Sequence, residues 1–192
     1  MALAGETIEN PVTGERLTFL ATGRDTNGQL LRIEHVFARG GFVAAAHVHP
    51  KQEERFEVLS GRANFRIGER EATAGEGDVL IVPPGTPHTW WNSGEDETRV
   101  IVEFRPALRT EWFFETFFGL GRDGKLDKNG RPNVLGMAVL GHEYRNEVAI
   151  APQNEFLLSR LPPSVIRLLL PIVALLGRML GYRRRYLHYS SW

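Results

Sequence analysis

Residues 41–61 read GFVAAAHVHPKQEERFEVLSG, and residues 77–92 read GDVLIVPPGTPHTWWN. The two stretches set histidines and acidic residues among glycine and proline turns. His47 and His49 are two residues apart on an expected strand, so both imidazoles point to the same face. A rigid Pro-Pro-Gly-Thr-Pro turn leads directly into His88 at the head of another strand. The pattern predicts a site built from these three imidazoles.

Glu54 is the carboxylate best placed to join them. It begins the next expected strand, where Phe56 would share its face. Glu53 is the competing carboxylate. Choosing it would turn Arg55 and Glu57 inward, against the alternation of the strand.

Three imidazoles and one carboxylate suit a divalent first-row metal. We expect one such ion to be held by His47, His49, Glu54 and His88. The chain has no cysteine, so nitrogen and oxygen must supply every ligand. Four protein ligands leave about two of six octahedral positions for water, substrate or dioxygen. Iron(II) is favoured, and manganese, nickel, copper and zinc accept the same ligands. Glu54 is also the candidate catalytic base.

The spacing of these residues resembles the two motifs of the cupin superfamily. The first motif runs Gly41, five residues, His47, one residue, His49, four residues, Glu54, six residues, Gly61. The second runs Gly77, five residues, Pro83, one residue, Gly85, two residues, His88, three residues, Asn92. The resemblance covers residues 39–92 closely. It implies an all-β jelly-roll barrel (a double-stranded β-helix), and it favours a homodimer because cupins are commonly dimeric.

Short strands separated by turns fill the first part of the chain, as in an all-β sandwich or barrel. The expected strands are 17–20, 30–38, 42–48, 56–59, 63–67, 79–82, 88–91 and 99–104. After Pro106 the pattern becomes helical, over 110–120 and again over 133–147. We therefore expect a barrel domain over 1–106 and a helical C-terminal extension over 107–192. The glycines of the motifs, Gly61, Gly77 and Gly85, are expected to adopt positive φ or tight turns.

Strand alternation also predicts a substrate pocket on the metal-facing side of the barrel. The expected lining residues are Val43, Ala45, Phe56, Val58, Phe65, Ile67 and Trp90. This pocket would be apolar and partly aromatic, with no arginine or lysine clamp, which favours an uncharged substrate. The alternative is that the aromatic side chains are plain barrel core, the commoner fate of such residues.

The composition and the N-terminal sequence argue against a nucleic-acid-binding protein and against a secreted one. The 192 residues include 23 basic and 23 acidic side chains, so bulk charge does not favour nucleic acid as a partner. Glu6 and Glu9 interrupt the apolar stretch that a signal peptide needs, which favours a cytoplasmic location. His142 and His188 have no partner at useful spacing, and His35 is expected to be exposed or structural.

The end of the chain is apolar and basic. Residues 156–192 contain six arginines and no acid, so residues 1–155 carry 17 basic and 23 acidic groups. The charge-free run between Arg167 and Arg178 is interrupted by Pro171 and is shorter than the roughly 20 residues that span a membrane. A helix here would lie on the barrel, on a partner subunit or on a membrane interface. The basic and aromatic residues from Tyr182 onward suit peripheral membrane contact through 160–192.

These features favour a metal-dependent enzyme with oxygenase-type chemistry on a small, mostly apolar or aromatic organic molecule. A non-redox isomerase, epimerase or lyase would use the metal as a Lewis acid instead. A third alternative is a non-catalytic cupin that binds a small molecule without turnover.

Overall fold

A computed structural model describes residues 2–43, 45–151, 163–180 and 182. Within them the chain forms two antiparallel sheets and three helices. The strands are β1 Thr7–Asn10, β2 Glu15–Ala21, β3 Leu31–Phe37, β4 His47–Val48, β5 Glu53–Ser60, β6 Arg62–Ile67, β7 Arg70–Gly75, β8 Val79–Val82, β9 His88–Asn92, β10 Thr98–Arg105 and β11 Ala149–Ile150. The helices are α1 Thr110–Arg122, α2 Val134–Glu143 and α3 Pro163–Met179.

The sheets enclose one apolar core. Their strand orders are β1-β2-β3-β10-β5-β8 and β11-β4-β9-β6-β7. Burial alternates along β2 and β5, as expected for strands with one face on a core. The inward side chains of both sheets form a continuous buried cluster that includes Phe19, Phe56, Phe65 and Trp90. The double-stranded β-helix barrel predicted from the sequence is therefore the fold.

The glycines of the two motifs lie in the tight turns that connect the strands. Gly61, Gly77 and Gly85 have φ of 79°, 85° and 79°. At Gly61 a Cβ atom would lie 2.7 Å from the carbonyl oxygen of Glu97, so both the conformation and the space require glycine. The expectation for these three positions is confirmed.

The strand expected over 42–48 is wrong in its extent. Phe42 makes only an isolated bridge to Trp91, and β4 consists of His47 and Val48. The outer strands β1 and β7 were not expected, because β7 is mostly exposed and offers little apolar alternation. Both strands pair at sheet edges, where burial imposes little pattern on the sequence.

The extension packs on the barrel. Phe118 of α1 belongs to the buried barrel cluster, and β11 adds to the edge of β4. Gln52 fixes the start of α1, because its amide nitrogen donates to the carbonyls of Pro106 and Ala107 and to the Thr110 hydroxyl. The division at residue 106 stays a prediction.

Helices α2 and α3 pack against each other beyond α1. Asn133 caps α2, since its side-chain oxygen accepts a hydrogen bond from the Gly136 backbone at 2.9 Å. Among the described residues, no helix is both long enough and apolar enough to cross a membrane. The basic and aromatic segment 183–192 of the predicted membrane contact lies outside the described residues, as do residues 160–162.

Candidate metal centre

Four side chains converge at the junction of the two sheets. His47 on β4 is the register partner of His88 on β9, and His49 follows β4 directly. Glu54 reaches them from β5 in the opposite sheet. One ligand atom from each of these four residues lies within 4.8 Å of all the others. The carboxylate in this cluster is that of Glu54 and not that of Glu53.

The proline-rich turn before β9 is hydrogen-bonded to the segment that carries His49. The Gly85 amide donates to the carbonyl of His49 at 2.9 Å, and the Thr86 amide donates to that of Pro83 at 3.2 Å. Three prolines restrict this turn, so few conformations compete with the one that presents His88. These backbone hydrogen bonds therefore fix the position of His88 relative to that of His49.

Each imidazole is oriented through Nδ1. The Nδ1 atom of His47 lies 3.0 Å from the Ala45 carbonyl, that of His88 lies 2.9 Å from the Thr86 carbonyl, and that of His49 lies 2.5 Å from the Glu147 carbonyl. A carbonyl only accepts, so each Nδ1 carries the proton. In the neutral ring Nε2 then keeps its lone pair, which is the tautomer that a metal-binding histidine needs.

The atoms that face one another lack hydrogen-bond partners among the described residues. Oε2 of Glu54 lies 2.6 Å from Nε2 of His88 and 3.3 Å from Nε2 of His49, and all three atoms are buried without a well-formed hydrogen bond. Buried polar atoms normally have partners, so these call for one. A divalent metal fits the three imidazoles and the carboxylate. The identity of the metal stays a prediction.

The electrostatic environment of the cluster gives His47 and His88 opposite pKa shifts. Burial lowers the pKa of His47 well below its ordinary value, and the neighbouring His88 and His49 lower it further. Burial works in the same direction on His88, but the Glu54 carboxylate outweighs it and raises the pKa of His88. Burial alone would raise the pKa of Glu54, yet the nearby His49 and His88 bring it well below its ordinary range. Without metal, Glu54 and His88 therefore form a charged pair while His47 stays neutral.

A cavity of about 150 Å³ opens beside the cluster, between the barrel and helices α1 and α2. His47, His49 and Glu54 are part of its wall. Three of the predicted pocket residues, Val43, Ala45 and Trp90, also line it. Most of the remaining lining is apolar and comes from the helical extension: Phe113, Phe114, Phe117, Phe118, Met137 and Leu140.

Four predicted pocket residues do not line this cavity. Phe56, Val58 and Phe65 are buried in the barrel core, and Ile67 packs against that core. The Phe56 ring lies 5.1 Å from that of Phe65, so aromatic packing fills the barrel at this depth. Alternation assigns a side chain to the inner face of a strand, but it does not say how far along the barrel the cavity extends. Phe56 and Phe65 are therefore barrel core, the alternative given for the aromatic side chains.

A second polar pair, absent from the prediction, lines the same cavity. His35 on β3 and Glu15 on β2 are both buried, with Nε2 of His35 3.1 Å from Oε1 of Glu15. The Thr13 hydroxyl donates to the other carboxylate oxygen. Val100 of β10 pairs with His35, and Phe104 of the same strand pairs with Glu54, which separates the two rows by about 13 Å along the strand. The apolar cavity therefore has polar groups at two distant places.

An ion-pair cluster supports the loop that orients His49. Arg109 contacts the carboxylate of Glu147 at 3.3 Å and that of Glu143 at 3.2 Å, and it also donates to the Glu143 carbonyl. Its guanidinium lies 5.4 Å from the centre of the Tyr144 ring. The contacts of Arg109 thus hold in place the segment whose Glu147 carbonyl accepts the hydrogen bond from His49. No local sequence pattern indicates this contact, since 98 residues separate His49 from Glu147.

This barrel, with three histidines and a glutamate at the sheet junction, has the architecture of a cupin. A family model described as a cupin domain matches residues 34–104, from β3 to β10. The barrel of this chain is thus similar to a cupin domain over residues 34–104.

Similar proteins cover parts of the chain. A protein from Arthrobotrys oligospora named as an oxidoreductase is 25% identical, over 60% of this chain and 53% of its own length. An uncharacterized protein from Streptomyces coelicolor is 38% identical over 29% of this chain and 51% of its own length. The solved structure of a predicted oxalate decarboxylase from Thermotoga maritima is 20% identical, with a TM-score of 0.48 over 53% of this chain and 90% of that one. The chain spans about half the length of the curated relatives it matches.

Proposed function

We propose that this protein is a metal-dependent oxidoreductase with oxygenase-type chemistry, acting on a small, mostly apolar or aromatic molecule. One observation carries the proposal: His49 and Glu54, whose buried Nε2 and Oε2 atoms lack hydrogen-bond partners, belong to the wall of an apolar cavity. The Arthrobotrys relative, named as an oxidoreductase, supports the redox class.

The lining supports an uncharged substrate. Phenylalanines of α1 form one side of the cavity, and Trp90 with Val43 forms another. Among the described lining residues Arg131 is the single lysine or arginine, so no cationic clamp for a di-anion or a sugar phosphate is evident. An apolar body would displace water from this surface, which is favourable in proportion to the area covered.

The residues around the cavity would have different roles in the proposed reaction. His47, His49, His88 and Glu54 would hold the metal, and Glu54 would accept a proton if its carboxylate is released. The bound metal would supply redox or Lewis-acid activation. The α1 phenylalanines exclude water from the reacting region. The His35–Glu15 pair would orient a polar group at the far end of the substrate.

Metal analysis and oxygen consumption test the proposal together. The purified protein is stripped, reloaded separately with iron(II), manganese, nickel, copper or zinc, and assayed in an oxygen electrode with a panel of phenols and enols. We expect stoichiometric metal and oxygen uptake with iron(II). The double variant His47→Ala/His49→Ala should lose both, whereas His142→Ala, a histidine of α2 outside the cluster, should keep both.

The alternatives give different results. Substrate conversion without oxygen uptake would favour the isomerase, epimerase or lyase, and binding without conversion would favour a non-catalytic cupin. Stoichiometric metal in the double variant would overturn the ligand assignment. The homodimer and the cytoplasmic location stay predictions.

A further inference from the structure

Helix α3 turns its apolar face away from the protein. Its exposed large side chains range from 39% to 76% exposed. They recur at the spacing of one helical stripe: Leu168, Leu169, Ile172, Leu175, Leu176, Met179 and Leu180. The stripe is about 18 Å long. A surface helix normally buries this face, so its exposure indicates a docking surface.

The opposite side of α3 is fixed against α2. Ala174 is fully buried there, and a Cβ atom at Gly177 would lie 2.7 Å from Cγ2 of Val139. Arg178 contacts Glu143 of α2 at 3.1 Å. Small residues thus bring the two helices close together, and an ion pair sets the rotation of α3. This packing holds the apolar stripe outward, so the barrel does not cover it.

The charge of the sequence that follows α3 indicates which kind of partner binds the apolar stripe. Arg183, Arg184 and Arg185 follow the stripe within a few residues, and no acid occurs between 156 and 192. Tyrosines 182, 186 and 189 and Trp192 accompany them. A basic cluster adds nothing to the pairing of two identical stripes, but it is attracted to anionic headgroups. Tyrosine and tryptophan favour the boundary between headgroups and acyl chains.

We propose that α3 is a membrane-surface anchor that binds bilayers containing anionic phospholipid. The helix lies in the plane of the interface, with its stripe among the upper acyl chains. The barrel and its cavity stay in water, with α2 between the anchor and the cavity wall. This proposal is independent of the proposed reaction.

Co-sedimentation of the full chain with vesicles tests the anchor. We expect binding to phosphatidylcholine vesicles that contain phosphatidylglycerol, and much weaker binding to phosphatidylcholine alone. Ile172→Glu/Leu176→Glu places two charges in the stripe and should reduce the bound fraction at least about tenfold. The matched control Val79→Glu/Ile81→Glu changes two exposed apolar residues of strand β8 and should bind as the unmodified protein does.

A third variant separates charge from apolar contact. Replacing Arg183, Arg184 and Arg185 by glutamine should weaken binding to the anionic vesicles by about fivefold for each arginine. Circular dichroism checks that every variant is folded. If the unmodified protein stays in the supernatant with both vesicles, the proposal is wrong. A dimer in light scattering that Ile172→Glu/Leu176→Glu converts to monomer, without vesicle binding, would show that a second copy covers the stripe instead.

Discussion

At the scale of single residues, the contact between Glu54 and His88 controls the protonation of the metal-free cluster. The carboxylate oxygen and Nε2 are 2.6 Å apart and buried, so each group stabilises the charged form of the other. A metal ion would take the place of the proton on His88, because both use the same lone pair.

The variant Glu54→Gln tests this contact. Burial already works to lower the pKa of His88, and the carboxylate is what raises it above the ordinary value of 6.5. The variant should therefore bring the pKa of His88 below its value in the unmodified protein, as imidazole NMR signals would show in metal-free samples. Metal affinity should fall by more than the about 10–100-fold that loss of an outer-shell partner costs.

The sign of the stability change follows from the same shifts. A raised folded-state pKa for His88 means stabilisation that is present below pH 6.5 and is lost as pH rises through the folded-state value. A lowered pKa for Glu54 means stabilisation that is present above pH 4.5 and is lost on acidification. The metal-free variant should thus lose most stability relative to the unmodified protein between these two pH values. An unchanged His88 titration would contradict this account.

His35 is the second residue whose role can be isolated. If the His35–Glu15 pair orients a polar group, metal-free protein should bind 2-naphthol more tightly than naphthalene. The expected advantage is about threefold to tenfold, the value of one net hydrogen bond. His35→Phe keeps an aromatic ring beside Trp90 and Phe114 but removes the polar nitrogens. This variant should bind both probes equally.

Calorimetric dissociation constants measure that ratio. The control Phe114→Leu changes an apolar lining residue that contacts His35, and it should weaken both probes to a similar extent. A naphthol advantage that survives in His35→Phe would mean that the hydroxyl group binds elsewhere in the cavity.

At the scale of secondary-structure elements, α1 carries both the apolar cavity wall and two buried acids. Phe113, Phe114, Phe117 and Phe118 line the cavity, while Glu111 and Glu115 are buried on the same helix. Burial raises the pKa of Glu115 to about 7 and also raises that of Glu111. The stability of the fold that holds α1 in place is therefore coupled to pH.

Glu115→Gln measures this coupling. Between pH 4.5 and about pH 7 the folded state holds a proton on Glu115 that the unfolded chain has lost, so stability falls as pH rises. Glutamine is neutral throughout, so the variant should gain stability relative to the unmodified protein as pH increases from about 5 to about 8. Urea unfolding at several pH values gives the slopes, and exposed Glu69→Gln is the control. Parallel slopes for Glu115→Gln and the unmodified protein would contradict the coupling.

The sequence predicted the barrel and the four clustered residues because each signal is local. Alternation, positive-φ glycines and the spacing of His47, His49 and Glu54 all operate within strands that follow each other in the sequence and the turns between them. The sequence did not predict that the α1 phenylalanines line the cavity or that His35 pairs with Glu15. Both contacts depend on which segments, distant in the sequence, lie next to each other in the fold. The helix pattern of 110–120 placed apolar residues without indicating what they cover. Strand β11 has two residues, too few for any periodic signal.

At the scale of the whole molecule, the metal cluster joins the two sheets. His47, His49 and His88 belong to the five-stranded side, and Glu54 belongs to β5 of the six-stranded sheet. A bound ion would cross-link the sheets near the place where α1 and α2 close the cavity. The ligand set forms only in the folded chain, so metal-binding free energy adds to folding free energy.

Thermal unfolding tests this linkage. Metal at about 100 times its dissociation constant should stabilise the fold by about 2.7 kcal/mol. For a chain of this size that corresponds to a rise in Tm of about 5–10 °C. A chelator should reverse the rise, and Glu54→Gln should reduce it at the same free metal concentration because the loss of one ligand weakens metal binding. His142→Ala should show the full rise. If Glu54→Gln retained the full rise at the same free metal concentration, the carboxylate would not hold the ion, and the cross-link between the sheets would be refuted.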